Sequence, residues 1–147
     1  MNIHPLVVHF PIAFLVIYSL IVIFPIKRWF PRLAWKDIEL ILLLVGFAGT
    51  IAALQTGEIA SELTFQNRDV LEMHEFFANA TSWAYGLIIV GKILSFIQVH
   101  SLYTKIPVVI QKLISPISSL LNNTGVVIIL ASIGIVVLSL TGLLGGV

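Results

Sequence analysis

Four stretches of nearly unbroken apolar residues divide the chain, at about 5–26, 38–57, 73–99 and 125–146, and polar residues collect between them. A helix needs about 20 mostly apolar residues to cross the hydrocarbon core of a bilayer. The pattern therefore predicts an all-α protein in which residues 1–147 form a single four-span transmembrane domain, folded as a four-helix bundle. Pro5 suits the first turn of the first span. Pro11 lies inside it, so the carbonyl of Val7 should lose its helical donor and the helix should bend.

Residues 104–121 show a different pattern. Ile106, Ile110, Leu113, Ile114, Ile117 and Leu121 recur at helical spacing, with Lys105, Gln111, Lys112, Ser115, Ser118 and Ser119 on the other side. That is the pattern of an interfacial amphipathic helix between spans three and four. The plainer alternative is a packing helix on the inner end of the bundle. Pro107 and Pro116 are expected to break it into pieces.

Composition agrees with the membrane assignment. The chain is 59% hydrophobic and 10% charged, against about 25% charged in a typical soluble domain. Cysteine is absent, which excludes disulfides, thiolate metal sites and cysteine catalysis. The first stretch is not expected to be a cleaved signal peptide: no basic residue precedes it and its apolar core is too long. The formal net charge of +1 is uninformative, but its distribution is not. Lys27, Arg28, Arg32, Lys36, Lys92, Lys105 and Lys112 fall on one side of the spans. Arg68 alone falls on the other, among Glu58, Glu62, Asp69, Glu72 and Glu75. The positive-inside rule then puts both termini and the acidic loop outside the cytoplasm. Trp29, Trp35 and Tyr103 lie on the basic side, where interfacial aromatics are expected.

Spans one and two resemble spans three and four. His9 with Ala13 four residues later matches His74 with Ala78, and Thr56-Gly57 matches Thr141-Gly142. Two parallel helical-hairpin repeats would pack around an axis along the membrane normal. Coincidence is the competing explanation, since Thr-Gly pairs are common in membrane helices.

His4, His9 and His74 collect at the outer end, where ionisable groups inside a membrane are usually functional. His9 lies roughly 8 Å into its span. Facing imidazoles from His9 and His74, with the small Ala13 and Ala78 one turn deeper, would suit haem b, each His supplying an axial ligand to the iron. Arg68 is the basic partner available to the propionates. Gly46 and Gly49 in span two, with Gly57 at its end, are read mainly as packing positions. The glycines around Thr141-Gly142 would also let backbone approach a flat cofactor, with Thr56-Gly57 as their counterpart in the repeat, although plain helix packing is the stronger explanation. A histidine near a helix end can also simply hydrogen-bond in the headgroup region. Alternatively, Glu58, Glu75 and the three histidines could bind zinc, iron or copper, or Glu58 and Glu75 could carry protons to or from a quinone. His4 and His9 would point about 140° apart on one helix, so they are not expected to share an ion unless the helix starts after His4. His100 is read as a snorkelling residue on the inner side. No nucleophile–base pair stands out, so a hydrolase is not expected.

The segment His-Pro-Leu-Val-Val-His-Phe-Pro-Ile-Ala-Phe, residues 4 to 14, resembles the signature of the bacterial membrane domain of unknown function 2231 family. Thr56-Gly57, the residues around His74, and the ending from Leu140 to Val147 match its later landmarks in order. The resemblance covers nearly the whole chain, and the His-Pro-x-x-x-His-Phe-Pro element is its specific part. It implies a small four-span protein of the bacterial inner membrane; with the charge distribution, both termini are then expected on the periplasmic side. It also tilts expectation toward redox work, because relatives occur joined to c-type cytochrome domains. His4, His9 and His74 match recurring positions of the family. One departure is that family members often continue past the Gly-Gly with polar and aromatic residues, whereas this sequence stops at Val147. The leading expectation is a haem b electron carrier. The alternatives are a non-catalytic accessory subunit of a respiratory complex and a metal-binding protein. Expected partners are the lipid bilayer, a c-type cytochrome or respiratory subunits, and a second copy of the chain in a homo-oligomer. Nucleic acid is not expected.

Overall fold

The computed structural model describes the backbone of residues 4–63 and 68–144 and the side chains of residues 8–57, 68–100 and 103–144. Among the described residues all regular structure is helical: α1 (His4–Ile23), α2 (Ile26–Trp29), α3 (Trp35–Leu63), α4 (Arg68–Val99), a 3₁₀ turn (Ser101–Lys105), α5 (Val108–Leu121) and α6 (Thr124–Leu144). Three helices are long and apolar enough to cross a membrane: α3 over Trp35–Gly57, α4 and α6. The described side chains of α1 form a shorter apolar run, Val8–Ile23.

Local chemistry sets the boundaries. Proline disfavours helical backbone in the residue before it, and α1 stops at Ile23, just before Phe24-Pro25. Pro25 then stands as N-cap of the one-turn α2. An ion pair between Lys27 and Glu39 ties that turn to α3, and the Trp35 indole donates to the Phe30 carbonyl at 2.8 Å. Beyond Gly57, α3 continues to Leu63, through Glu58, Ala60 and Glu62, all with good helix propensity. Asn123 starts α6: its side-chain oxygen accepts from the N–H groups of Gly125 at 2.9 Å and Val126 at 3.4 Å, the usual N-cap bonds. The expectation that both prolines would break the 104–121 segment holds for one. Pro107 precedes α5 as its N-cap, whereas Pro116 lies inside a continuous helix. Pro116 withdraws a donor from the carbonyl of Lys112, and Lys112 is an exposed residue.

α1 packs against α3 and α6, and α4 packs against α6, α3 and α5. The long helices thus form a ring in the order α1, α3, α4, α6, with α1 and α4 on a diagonal. Leu15, Tyr18, Leu43, Tyr85, Ile88, Ala131 and Leu138 fill its centre. Small residues bring the backbones close. A Cβ on Gly46 would lie 2.6 Å from Leu15, one on Gly49 3.0 Å from Pro11, and one on Gly134 2.8 Å from the Tyr85 ring. Across the diagonal, Ser19 and Tyr85 share a hydrogen bond of 2.8 Å, and Tyr18 meets Tyr85 edge-on with ring centroids 6.3 Å apart. The Tyr18 hydroxyl is buried with no hydrogen-bond partner among the described residues.

These two hydroxyls respond oppositely to removal of a hydrogen-bonding group. Ser19→Ala strands the Tyr85 hydroxyl in an apolar interior and should cost about 1 kcal/mol. Tyr18→Phe removes an oxygen that bonds nothing and should cost nothing or stabilise. Unfolding in mixed detergent micelles reads both differences.

Candidate functional site

The buried face of α4 is written at helical spacing: Thr81, Tyr85 and Ile88 are buried, and Ala78 and His74 continue the same stripe toward the start of α4 at intervals of three and four. His74 is therefore half-buried at the end of the ring where α4 begins and α6 ends, on the side of α4 that meets α6. Its Nδ1 lies 3.1 Å from the carbonyl oxygen of Thr141. A carbonyl can only accept, so Nδ1–H donates, and Nε2 of the neutral ring keeps its lone pair.

Thr141 is buried in the last turn of α6, where helix carbonyls lack their ordinary i+4 donors. The His74 ring thus supplies a donor at the negative end of the helix dipole. The Thr141 hydroxyl is turned back into its own helix, donating to the Val137 carbonyl at 2.9 Å. Gly142 follows. A Cβ there would meet only Ile12 of α1, at an ordinary 3.6 Å.

His9 is exposed on α1. It stands six residues before the fully buried Leu15, about 120° round the helix from it, on the flank that carries Ile12 toward α6. The described contacts therefore bring His74 together with Thr141, and α1 and α4, which carry His9 and His74, sit on a diagonal of the ring. His4 is the first residue of α1, and its side chain lies outside the described residues. Ala13 is exposed and Ala78 half-buried one turn below His74.

Arg68 is exposed at the first residue of α4, six residues or roughly 9 Å of helix from His74. The Thr56 hydroxyl donates within α3 to the carbonyls of Ala52 at 3.0 Å and Ala53 at 3.2 Å, and Gly57 beside it is half-buried. The Glu58 and Glu62 side chains are outside the described residues. Asp69, Glu72 and Glu75 are exposed. Asp69 and Glu72 line a shallow depression with Met73, Phe76 and Phe77. Among the described residues no group of three or more His, Cys, Asp or Glu stands together where it could hold a metal ion.

Ser19, Tyr18, Tyr85 and Glu39 do not stand out in the sequence as functional residues. The signal that marks the two tyrosines is spacing: Tyr85 lies eleven residues, about three helical turns, after His74, and Tyr18 seven residues, about two turns, after Pro11. No family profile, curated protein or solved structure matches this chain.

Proposed function

We propose that the chain is a four-span bacterial inner-membrane protein of the family named above. It would bind haem b near the periplasmic side and pass single electrons between a quinol and a periplasmic c-type cytochrome. What carries the proposal is the His74–Thr141 hydrogen bond. A metal-ligating histidine almost always donates its second ring nitrogen to a carbonyl, carboxylate or water, which fixes tautomer and ring orientation. His74 has that partner, and Nε2 would then be the ligating atom.

The neighbouring residues fit a flat group: Ala78 one turn below His74 and Gly142 beside Thr141 are small, and Gly142 is only loosely contacted. Haem b would supply reversible one-electron chemistry. The protein would hold the iron from two helices, through His74 on α4 and an α1 histidine, His9 or His4. Arg68 would pair with the propionates, and the apolar helices would exclude water. Lys27, Arg28, Arg32, Lys36, Lys92, Lys105 and Lys112 would face the cytoplasm.

The same hydrogen bond supports a second reading, an accessory subunit of a larger membrane complex in which His74 only caps α6. The absorption spectrum decides between them. Protein made with ample haem and purified in detergent should show a Soret band and, in the reduced-minus-oxidised difference, a sharp α band. Absence of both bands leaves the accessory subunit.

A further inference from the structure

α5 has three faces rather than two. One is fastened to the protein. Gln111 donates to the carbonyls of Ile106 at 2.7 Å and Tyr103 at 3.1 Å, Ser118 donates to the Gln98 side chain at 3.0 Å, and Asn122 donates to the Gly91 carbonyl at 2.6 Å. The approach at Gly91 is so close that a Cβ there would lie 2.8 Å from that of Leu121 and 3.2 Å from its backbone. The second face is apolar and uncovered: Val109 is 72% exposed, Leu113 61%, Ile117 47% and Leu120 61%. The third is an exposed polar strip of Lys112, Ser115 and Ser119, about 100–160° round the helix from Leu113.

The polar residues that make α5 look amphipathic in sequence therefore divide into two sets with different partners. Gln111, Ser118 and Asn122 serve the protein. Lys112, Ser115 and Ser119 do not, and they lie beside the apolar face as headgroup-level residues lie beside a membrane-embedded one.

The surroundings indicate what covers the apolar face. α6 begins just after the Asn122–Gly91 contact, so α4 beyond Gly91 and α5 together form the basic end of the molecule. Lys92 and Lys105 stand there, with Arg28, Arg32 and Lys36 after α1, and the exposed Ile93 and Phe96 of α4 extend the apolar surface. Apolar side chains rimmed by lysines match acyl chains beneath phosphates.

We propose that α5 is a lipid-binding helix at the basic-side surface of the bilayer, with the Val109–Leu113–Ile117–Leu120 face among the acyl chains and the Lys112–Ser115–Ser119 strip among phospholipid phosphates. The proposal rests on the membrane-spanning assignment of α6, and the test separates the two. The chain contains no cysteine, so Leu113→Cys, Ser119→Cys and, on the exposed side of α6, Ile133→Cys each give one labelling site. Each variant carries a nitroxide in vesicles of phosphatidylcholine and phosphatidylglycerol. Collision rates are then measured with oxygen, which partitions into lipid, and with a water-soluble nickel chelate. Labels at Leu113 and Ile133 should favour oxygen, and the oxygen-to-nickel ratio should fall several-fold at Ser119. An oxygen-rich Ile133 with a nickel-rich Leu113 overturns the proposal alone, as does a Ser119 as oxygen-rich as Leu113. A nickel-rich Ile133 overturns the spanning assignment and the proposal with it.

Discussion

Gly134→Leu should lower the stability of the folded protein by about 2–4 kcal/mol, combining overpacking with a lost buried hydrogen bond. A Cβ at this position would stand 2.8 Å from two atoms of the Tyr85 ring and 3.1 Å from its hydroxyl. That ring cannot swing aside cheaply. Tyr85 is fully buried, its hydroxyl is held by Ser19 at 2.8 Å, and Tyr18 meets it edge-on. A leucine must displace the ring, and with it the α1–α4 link across the diagonal, or push α6 away from α4. Membrane helices associate largely through such close fits, since lipid offers apolar side chains an equally good environment. Gly142→Ala is the control: its Cβ meets only the end of Ile12 at 3.6 Å, and no loss is expected. Detergent unfolding curves of both variants check the pair, and equal stability of Gly134→Leu and wild type would show that the Tyr85 position is not fixed by this contact.

Replacing His74 should have the largest functional effect. His74→Ala removes both candidate roles of the ring, the donor to Thr141 and the iron ligand, so the haem bands should fall to background with a stability loss of about 1 kcal/mol. His74→Gln separates the roles. A glutamine amide N–H can donate to the same carbonyl, so stability should return toward wild type, while an amide is a poor iron ligand and the haem bands should stay lost. Full haem content in His74→Gln would confine His74 to capping α6. His9→Ala and His4→Ala, compared in the same way, identify the second ligand: one should lose the bands and the other keep them.

Much of the helical layout was legible in the sequence because apolar runs of membrane-spanning length have few other uses. α3, α4 and α6 follow from it directly. The glycines of span two act as packing positions, since Gly46 and Gly49 of α3 seat Leu15 and Pro11. Helix ends were harder, because they depend on single residues that apolar windows average away. Pro25 ends the first helix early, and Asn123 starts the last through its side chain. Pro116 was misread as a breaker: proline removes one donor, and α5 tolerates that loss because the freed carbonyl belongs to an exposed residue.

The candidate site was legible only as an inventory. Sequence can place His9, His74 and Thr141 at one end, but it cannot say which helix neighbours which. The pairing of His74 with the Thr141 carbonyl depends on α4 lying beside α6, and a backbone acceptor leaves no trace in residue type. The buried tyrosines were missed for a related reason. Tyr18 and Tyr85 look like ordinary apolar bulk until the diagonal contact puts Ser19 against a hydroxyl. The amphipathic pattern of α5 likewise merged two polar sets that only the fold separates.

The central claim is that two imidazoles from different helices share one iron, and the low-temperature electron paramagnetic resonance spectrum of the oxidised, haem-supplied protein reads that coordination directly. The expected result is a low-spin ferric signal typical of two histidine ligands, lost in His74→Gln. A high-spin signal, or a low-spin signal indifferent to His74, would contradict it.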